Sequence, residues 1–413
     1  FASVWWLRAW LCQRRYPVQV QTPEELGFSS SRLARIGEAM RRYTDEGHIA
    51  GMVTLIARHG RIAHAETHGV MDRDSGRPMV LDAIMRIYSM TKPITSVAAM
   101  MLYEEGRFQM ETPVSTFLPE MARFRVFASG TPEDMQTVPL QRPITVHHLL
   151  THTAGLTYGF DRVHPVDALM QDWSSRQFKA RPTLAEWLAA LPEVPLAHQP
   201  GTAWRYSVAT DVLGRLIEVV SGQSLDAFFR NRIFEPLGMA DTGFSVPRDQ
   251  RERMATLYMA DGEGLARARG PMAEVSRKPF YLSGGGGLVS TTEDYLRFAQ
   301  MLLNKGQGNG ERLLGPRTVE FMARNHLKPA LLPYAGADAP GSGFGLGVAV
   351  TLDPALCGRL DSAGSFGWGG AAATQFWVDP QEDLVALIMP QLLGSPYPLL
   401  QQYHALVYQA LID

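Results

Sequence analysis

The chain has 413 residues, of which 46% are hydrophobic and 19% charged, and its formal net charge at pH 7 is -2. Because this length exceeds the usual size of one domain, we expect two lobes, or one domain with a large insertion. Positive and negative residues are mixed along the chain, which argues against a nucleic-acid-binding surface and favours a small molecule as the partner.

Residues 1–24 are predicted to be an N-terminal extension. The segment from Phe1 to Cys12 is apolar, but Arg8 interrupts it and Arg14 and Arg15 follow. It is therefore short for a membrane span and lacks the charge order of a signal peptide. We expect a cytoplasmic protein without stable membrane insertion; a periplasmic or secreted protein would follow if these residues were a truncated leader.

The first predicted elements are a helix and a β-hairpin. Apolar residues recur at helical spacing from Leu33 to Tyr43, after Ser30 and before Gly47. The apolar run from Met52 to Ala57 predicts a strand, and Ile62 to Val70 predicts its antiparallel partner. A sheet is therefore expected to begin near the N-terminus.

A second helix is predicted from Ser89 to Glu105, where residues 95–102 are rich in Ala and Met. From Phe108 to Gly270 the pattern changes to short helical segments among Pro-rich loops, which predicts a mainly helical insertion. These segments are Val146 to Leu150, Leu184 to Leu191, Thr210 to Ser221 and Leu225 to Ile233.

The C-terminal part returns to the sheet. A helix is predicted to begin at Ser290 to Asp294. The segments predicted after it, three strands and a last helix, are Phe344 to Leu352, Ala372 to Val378, Leu384 to Met389 and Leu399 to Ile412. The expected fold class is α/β (α+β). An antiparallel sheet flanked by helices would be built from residues 25–106 and 281–413, and a mainly helical lobe from residues 107–280.

The main candidate for chemistry is Ser89-Met90-Thr91-Lys92, at the start of the second helix. A spacing of three residues places the serine hydroxyl and the lysine amine on one helical face, where the lysine could take the serine proton. The helix N-terminus also offers N–H donors to a developing oxyanion. Of the five lysines in the chain, Lys92 alone has a serine three residues before it. The alternative is an exposed helix start with a solvated lysine.

Two further segments are candidates for the same site when they are considered together with the Ser89 motif. Tyr206, in a loop before an apolar helix, could point into a cleft, although a tyrosine is more often a packed aromatic residue with a satisfied hydroxyl. The segment from Gly367 to Ala371 stands at the start of a predicted strand, where small residues let the backbone approach a ligand closely. The alternative is that the glycines only make room for Trp368 to pack on the strand.

In order and context, the three motifs resemble the serine β-lactamase-like superfamily, and most closely the family VIII carboxylesterases, which look like class C β-lactamases. The stretches similar to that family are Tyr88 to Lys92, Leu149 to Leu156, Tyr206 to Val208 and Gly286 to Ser290. The resemblance covers residues 25–395 and implies a serine β-lactamase-like fold related to that of the penicillin-binding proteins.

The resemblance also implies roles for individual residues. Ser89 would be the acylated nucleophile, Lys92 its hydrogen-bonded activator, and Tyr206 the acid and base that serves the leaving group and the water. The backbone N–H groups of Ser89 and Ala371 would form the oxyanion hole.

Two departures from the β-lactamase pattern affect the expected substrate. Trp368, Gly369 and Gly370 stand where β-lactamases and penicillin-binding proteins carry Lys-Thr-Gly, and Val208 stands where β-lactamases carry Asn. This segment would contact the substrate without the cation that binds a β-lactam carboxylate.

Three histidines, His147, His148 and His152, are close enough along the chain to suggest metal ligands, but no carboxylate completes a set. We expect them to brace a helix end or a loop, and we expect neither a metal nor a cofactor.

The predicted function is hydrolysis of small carboxylic esters through an acyl-enzyme on Ser89, with weak β-lactam hydrolysis as an accompanying activity. Within the same superfamily the alternatives are a β-lactamase, a D-amino-acid peptidase and an acyltransferase. A non-catalytic binding module on this fold is the alternative from another class. The sequence leaves the oligomeric state open.

Overall fold

The computed structural model describes residues 19–413 except 162, 263, 271–278 and 335–339. Most of the predicted N-terminal extension therefore lies outside the described residues. In the part of the chain that is described, no helix has the length and apolar character required to cross a membrane.

An eight-stranded antiparallel sheet forms the centre of the molecule. Its strands are β1 (Gly51–Arg58), β2 (Arg61–Asp72), β3 (Arg77–Pro78), β4 (Ser342–Phe344), β5 (Ala349–Thr351), β6 (Phe366–Gly369), β7 (Gln375–Asp379) and β8 (Leu384–Pro390). Their spatial order is β4-β5-β6-β7-β8-β1-β2-β3. The N-terminal hairpin thus continues the C-terminal strands, and the predicted antiparallel sheet is confirmed.

The hairpin of β1 and β2 follows from its turn. His59 and Gly60 have positive φ angles of 52° and 70°, as a two-residue I′ turn requires, and this geometry matches the twist of the flanking strands. The turn sets Arg58 opposite Arg61.

Both faces of the sheet are buried, and alternate residues of each strand enter different cores. In β8, Val385 and Leu387 belong to the larger core, whereas Ala386 and Ile388 belong to the smaller one. All eight residues of β1 are buried. This two-sided burial explains why both strands are continuous apolar runs in the sequence.

Helices cover the two faces. The α-helices of five or more residues in the described ranges are α1 (Ser30–Asp45), α2 (Thr91–Glu104), α3 (Val146–Leu150), α4 (Pro165–Ala180), α5 (Leu184–Ala190), α6 (Ala209–Ser221), α7 (Leu225–Phe229), α8 (Thr292–Leu303), α9 (Pro316–Met322) and α10 (Leu399–Tyr408). Apolar residues of α1 and α10 form the smaller core with the sheet, and those of α2 and α8 contribute to the larger one. Helix α2 is buried on all sides from Thr91 to Leu102, as expected of a helix in the centre of a large protein.

The segment between the two parts of the sheet is not purely helical. It contains the hairpin Arg125–Gly130 with Met135–Pro139, and the hairpin Tyr258–Asp261 with Gly264–Arg267. The second hairpin is extended in parallel by Leu392–Leu393. The predicted boundaries of the helical lobe remain a prediction.

One predicted strand, Phe344 to Leu352, is wrong as a single element. The chain turns after Phe344, because Gly347 has a φ of 87° and the Gly345 N–H donates to the Val348 carbonyl at 2.8 Å. Two short antiparallel strands, β4 and β5, therefore replace it.

Candidate active site

Ser89 lies in a 3₁₀ turn, Tyr88–Met90, that leads directly into α2. Tyr88 has a positive φ of 43°, which is uncommon for a residue with a side chain and needs support from the surrounding structure. The burial of Tyr88 and Met90 supplies that support. Ser89 between them is partly exposed and faces a cleft.

Lys92 follows one turn later and is only 1% exposed. Its Nζ donates to Ser89 Oγ at 3.2 Å and to the Gly285 carbonyl at 2.6 Å. The same atom lies 4.6 Å from the centroid of the Tyr206 ring and 5.1 Å from that of Tyr158. One carbonyl and two aromatic faces therefore hold the amine against the serine.

Tyr206 reaches the serine from the other side. Its hydroxyl donates to Ser89 Oγ at 2.6 Å. The loop that carries it is fixed, because the Arg205 N–H donates to the His152 carbonyl at 2.9 Å and the Tyr206 ring packs 5.0 Å from the His152 ring. The structure thus brings Ser89, Lys92 and Tyr206 into one hydrogen-bonded group centred on the serine oxygen.

Asp211, in the first turn of α6, is a site residue that sequence reasoning missed. It is 2% exposed and accepts hydrogen bonds from Ser283 Oγ at 2.6 Å, Gly285 N–H at 3.1 Å and Tyr158 OH at 3.3 Å. Gly285 is also the residue whose carbonyl holds Lys92. The signal available in the sequence was an aspartate within an apolar helical pattern. Such a pattern predicts burial, and a buried carboxylate needs hydrogen-bond partners.

Two titratable side chains beside the site are kept neutral. Burial, reinforced by the Lys92 charge, holds the pKa of His152 well below its usual value, and its Nδ1 lies 3.2 Å from Ser207 Oγ. Burial, reinforced by the Asp211 carboxylate, raises the pKa of Tyr158 well above its usual value. His152 braces the tyrosine loop, and Tyr158 remains a hydrogen-bond donor to Asp211.

The other two histidines have structural contacts. His148 Nδ1 accepts from the Thr145 N–H at 3.2 Å, and His147 Nε2 lies 3.2 Å from His326 Nδ1. Burial lowers the pKa of His147 and of His148 to about 4. Within the described ranges, no group of three His, Cys, Asp or Glu side chains is arranged to hold a metal ion.

The third motif lies at the end of a strand, so its predicted position at the start of a strand is wrong. Trp368 and Gly369 end β6, Gly370 begins a turn with its N–H donating to the Thr374 carbonyl at 2.7 Å, and β7 starts at Gln375. A Cβ at Gly370 would overlap the carbonyl oxygen of Ile87. The missing side chain therefore lets the end of β6 approach the turn that carries Ser89 closely.

Trp368 and Ala371 both face the cleft. The Trp368 ring lies 5.7 Å from the Tyr206 ring and 5.3 Å from that of Phe344, while Ala371 is exposed next to the turn. The oxyanion-hole role of the Ser89 and Ala371 N–H groups remains a prediction.

The antiparallel sheet between helical layers and the serine, lysine and tyrosine that converge at the start of α2 define a class, the serine hydrolases of β-lactamase-like fold. The Beta-lactamase family matches residues 36–409. The chain belongs to this family.

Three relatives refine its placement. Esterase EstB from Burkholderia gladioli is 33% identical over 87% of this chain and 91% of its own length, and Protein Rv1367c from Mycobacterium tuberculosis is 37% identical over 86% and 88%. The solved structure of EstCE1, described as a hydrolase with promiscuous acyltransferase activity, is 28% identical, with a TM-score of 0.76 over 93% of this chain and 99% of that chain. The predicted resemblance to the family VIII esterases is confirmed.

Proposed function

We propose that this chain is a carboxylesterase that hydrolyses small carboxylic esters through an acyl-enzyme on Ser89. The observation that carries the proposal is the convergence of Lys92 Nζ and Tyr206 OH on Ser89 Oγ, at 3.2 and 2.6 Å, in an open cleft. The esterase relative EstB supports the choice of esters as substrates.

In the first step Ser89 Oγ attacks the ester carbonyl carbon, and its proton passes to the Lys92–Tyr206 pair. The N–H groups of Ser89 and Ala371 would stabilise the oxyanion of the tetrahedral intermediate. When this intermediate collapses, the bond to the alcohol oxygen breaks and the pair returns the proton to the departing alcohol. The product is an ester between the substrate acyl group and Ser89.

The second step reverses these roles with water in place of the alcohol. A water molecule gives a proton to the Lys92–Tyr206 pair and attacks the acyl carbon. Collapse of the second intermediate returns the proton to Ser89 Oγ and releases the acid. An alcohol attacking in place of water would give acyl transfer, the second candidate function, which the activity named for EstCE1 favours.

The tryptophan at the third motif favours esters over β-lactams. A β-lactam carries a carboxylate, which is best bound by a charge-assisted hydrogen bond from lysine or arginine. Trp368 offers an apolar wall in that position, packed against Tyr206 and Phe344. An uncharged ester loses nothing by the change and gains apolar contact.

The test is a comparison of kcat/KM for p-nitrophenyl butyrate and for nitrocefin with one preparation. We expect a much higher value for the ester, no turnover by Ser89→Ala, and a single fluorophosphonate adduct on Ser89. Ser175→Ala, on the exposed side of α4, is the matched control and should keep full activity.

Four results would contradict the proposal. An equal or higher value for nitrocefin would indicate a β-lactamase. Labelling of another serine, or full activity in Ser89→Ala, would remove the nucleophile. Neither turnover nor labelling in the folded protein would indicate a binding module.

A further inference from the structure

The cleft continues beyond Ser89 along one face of α4. The helix residues that line it are Asp167, Met170, Ser174, Gln177, Phe178 and Lys179. The residues from 167 to 178 recur every three or four positions, with the adjacent pair 177 and 178 at the end, and therefore share one helical face; Lys179 lies beside that face in the last turn. The whole cleft, including its extension past β6, has a volume of about 1880 Å³, above the roughly 300–1,000 Å³ of common small-molecule sites.

The N-terminal end of this helical face is tied to the candidate active site. Asp167 Oδ1 lies 2.8 Å from Arg205 Nη2 and accepts from Thr157 Oγ1 at 2.6 Å, and Arg205 directly precedes Tyr206. Phe178 is eleven residues further along α4, about 16 Å at the helical rise of ~1.5 Å per residue. This face of α4 therefore extends from the candidate active site toward the outer end of the cleft.

Aromatic side chains line this outward path. Phe160 is 72% exposed and stacks on Tyr158, with its ring centroid 6.4 Å from that of Tyr206. Phe178 is 48% exposed and meets Phe280 edge to face at 5.8 Å. Large apolar side chains that remain exposed along a cleft indicate a surface that binds another apolar group.

Between its two ends the lining is apolar or uncharged, whereas Lys179 and Arg181 bring positive charge to the outer end, where the Arg181 guanidinium lies 5.0 Å from the centroid of the Phe280 ring. Met170 and Trp187 are 2% and 8% exposed and form the floor, and the intervening polar side chains, Ser174 and Gln177, carry no charge. We call the set of Phe160, Met170, Phe178, Trp187 and Phe280 the apolar arm.

We propose that the apolar arm binds an extended hydrocarbon chain of the substrate. Among the small carboxylic esters of the proposed function, the preferred ones would then carry an apolar chain of several carbons on one side of the ester bond, either the acyl or the alcohol side. This inference rests on the proposed esterase function, and it is supported by the continuity of the arm with the cleft at Ser89.

The experiment uses two series of esters, each kept below its solubility limit. The first lengthens the acyl chain of p-nitrophenyl esters from acetate to octanoate, and the second lengthens the alcohol of alkyl acetates from ethyl to octyl. In one series KM should fall by up to roughly fourfold for each methylene that enters the arm, while kcat changes less, because remote apolar contacts act alike on the ground and transition states. The series that responds identifies the side of the ester bond that the arm holds.

Variants localise the effect. Phe178→Ala and Phe160→Ala should each lower the octanoate-to-acetate or octyl-to-ethyl ratio of kcat/KM at least fivefold. Val163→Ala removes a side chain that is 91% exposed on the neighbouring loop and should leave the ratio unchanged.

A flat KM in both series, or an unchanged ratio in Phe178→Ala, would overturn the inference while the short esters still report an active esterase. A wild-type protein that hydrolyses neither acetate nor octanoate would instead refute the proposed function itself.

Discussion

Ser89 Oγ receives two hydrogen bonds from side chains that are anchored independently. Lys92 is held by the Gly285 carbonyl, and Tyr206 by the loop that packs on His152. In the proposed mechanism this arrangement would need little rearrangement before Ser89 reacts, which is the condition for efficient general acid and base catalysis.

At this scale, Lys92→Ala and Tyr206→Phe should each lower kcat for p-nitrophenyl butyrate by roughly 10²- to 10⁴-fold, because each removes a positioned acid or base. The double variant should lose much less than the product of the two effects, since the pair handles one proton together. Steady-state kinetics and circular dichroism check the loss and the fold.

Lys305→Ala is the control for that experiment, because Lys305 is an exposed lysine that pairs with Glu320. It should retain wild-type kinetics. A Tyr206→Phe variant with a near wild-type rate would return Tyr206 to the role of a packed aromatic residue.

The sequence predicts residues of the candidate site unevenly. Ser89 and Lys92 can be recognised because their relation is local: they are three residues apart, across the 3₁₀ turn and the first turn of α2. Asp211 could not be connected to the site, because its partners Ser283 and Gly285 lie 72 and 74 residues further along the chain. Only the folded chain brings them together.

At the scale of elements, helix α6 controls the position of the lysine through a short turn. Asp211 in its first turn accepts hydrogen bonds from Ser283 and Gly285, and the Gly285 carbonyl then accepts one from Lys92. The turn therefore connects α6 to α2 across the site, and we expect Asp211 to act as a positioning residue.

Asp211→Asn should lower kcat by about 10- to 100-fold with little change in KM. The substitution leaves buried donors of the turn poorly paired, a cost of about 1–3 kcal/mol, and loosens the anchor of Lys92. The rate of fluorophosphonate labelling of Ser89 should fall in parallel, which a change in stability alone would not cause.

Glu218→Gln, further along the same helix, is the matched control and should leave the labelling rate unchanged. Parallel losses in labelling rate for both variants would show that α6 as a whole, and not Asp211, determines the geometry.

Elements with strong local signals are predicted well. The helix α1 and the hairpin of β1 and β2 follow from apolar spacing and a two-residue turn. The sequence pattern does not predict helix α4, because many of its residues are polar and exposed. Its apolar side chains are also divided between the core and the cleft, so they do not form one apolar stripe. The division of 344–352 into two strands was missed because its turn depends on backbone geometry at Gly347.

At the scale of the whole molecule, acid should weaken the fold through its buried histidines, two of which lie in β2. His64 and His68 are 5% and 3% exposed. Burial, with a smaller effect of His68, lowers the pKa of His64 to about 4, and burial, with a smaller effect of Arg41, lowers that of His68 to about 4. Between pH 6.5 and 4 the unfolded chain therefore binds more protons than the folded one, and stability falls as the pH falls.

The expected loss between pH 6.5 and 5 is up to about 2 kcal/mol for each histidine, measured as a shift of the urea midpoint. Burial raises the pKa of the neighbouring Glu66, so protonation of Glu66 partly offsets the loss. His64→Gln and His68→Gln should each reduce the pH dependence. A urea midpoint that stays constant from pH 7 to 5 would contradict this account.

The pairing of β1 with β8 has a consequence for biosynthesis. Val53 lies opposite Met389, so a growing chain carries the N-terminal hairpin through most of its translation before the neighbouring strand exists. During that interval an apolar strand edge has unpaired backbone groups, and such edges readily pair with other chains. We therefore expect folding of this protein to be most sensitive to association between nascent chains before the ribosome has released the residues that close the sheet.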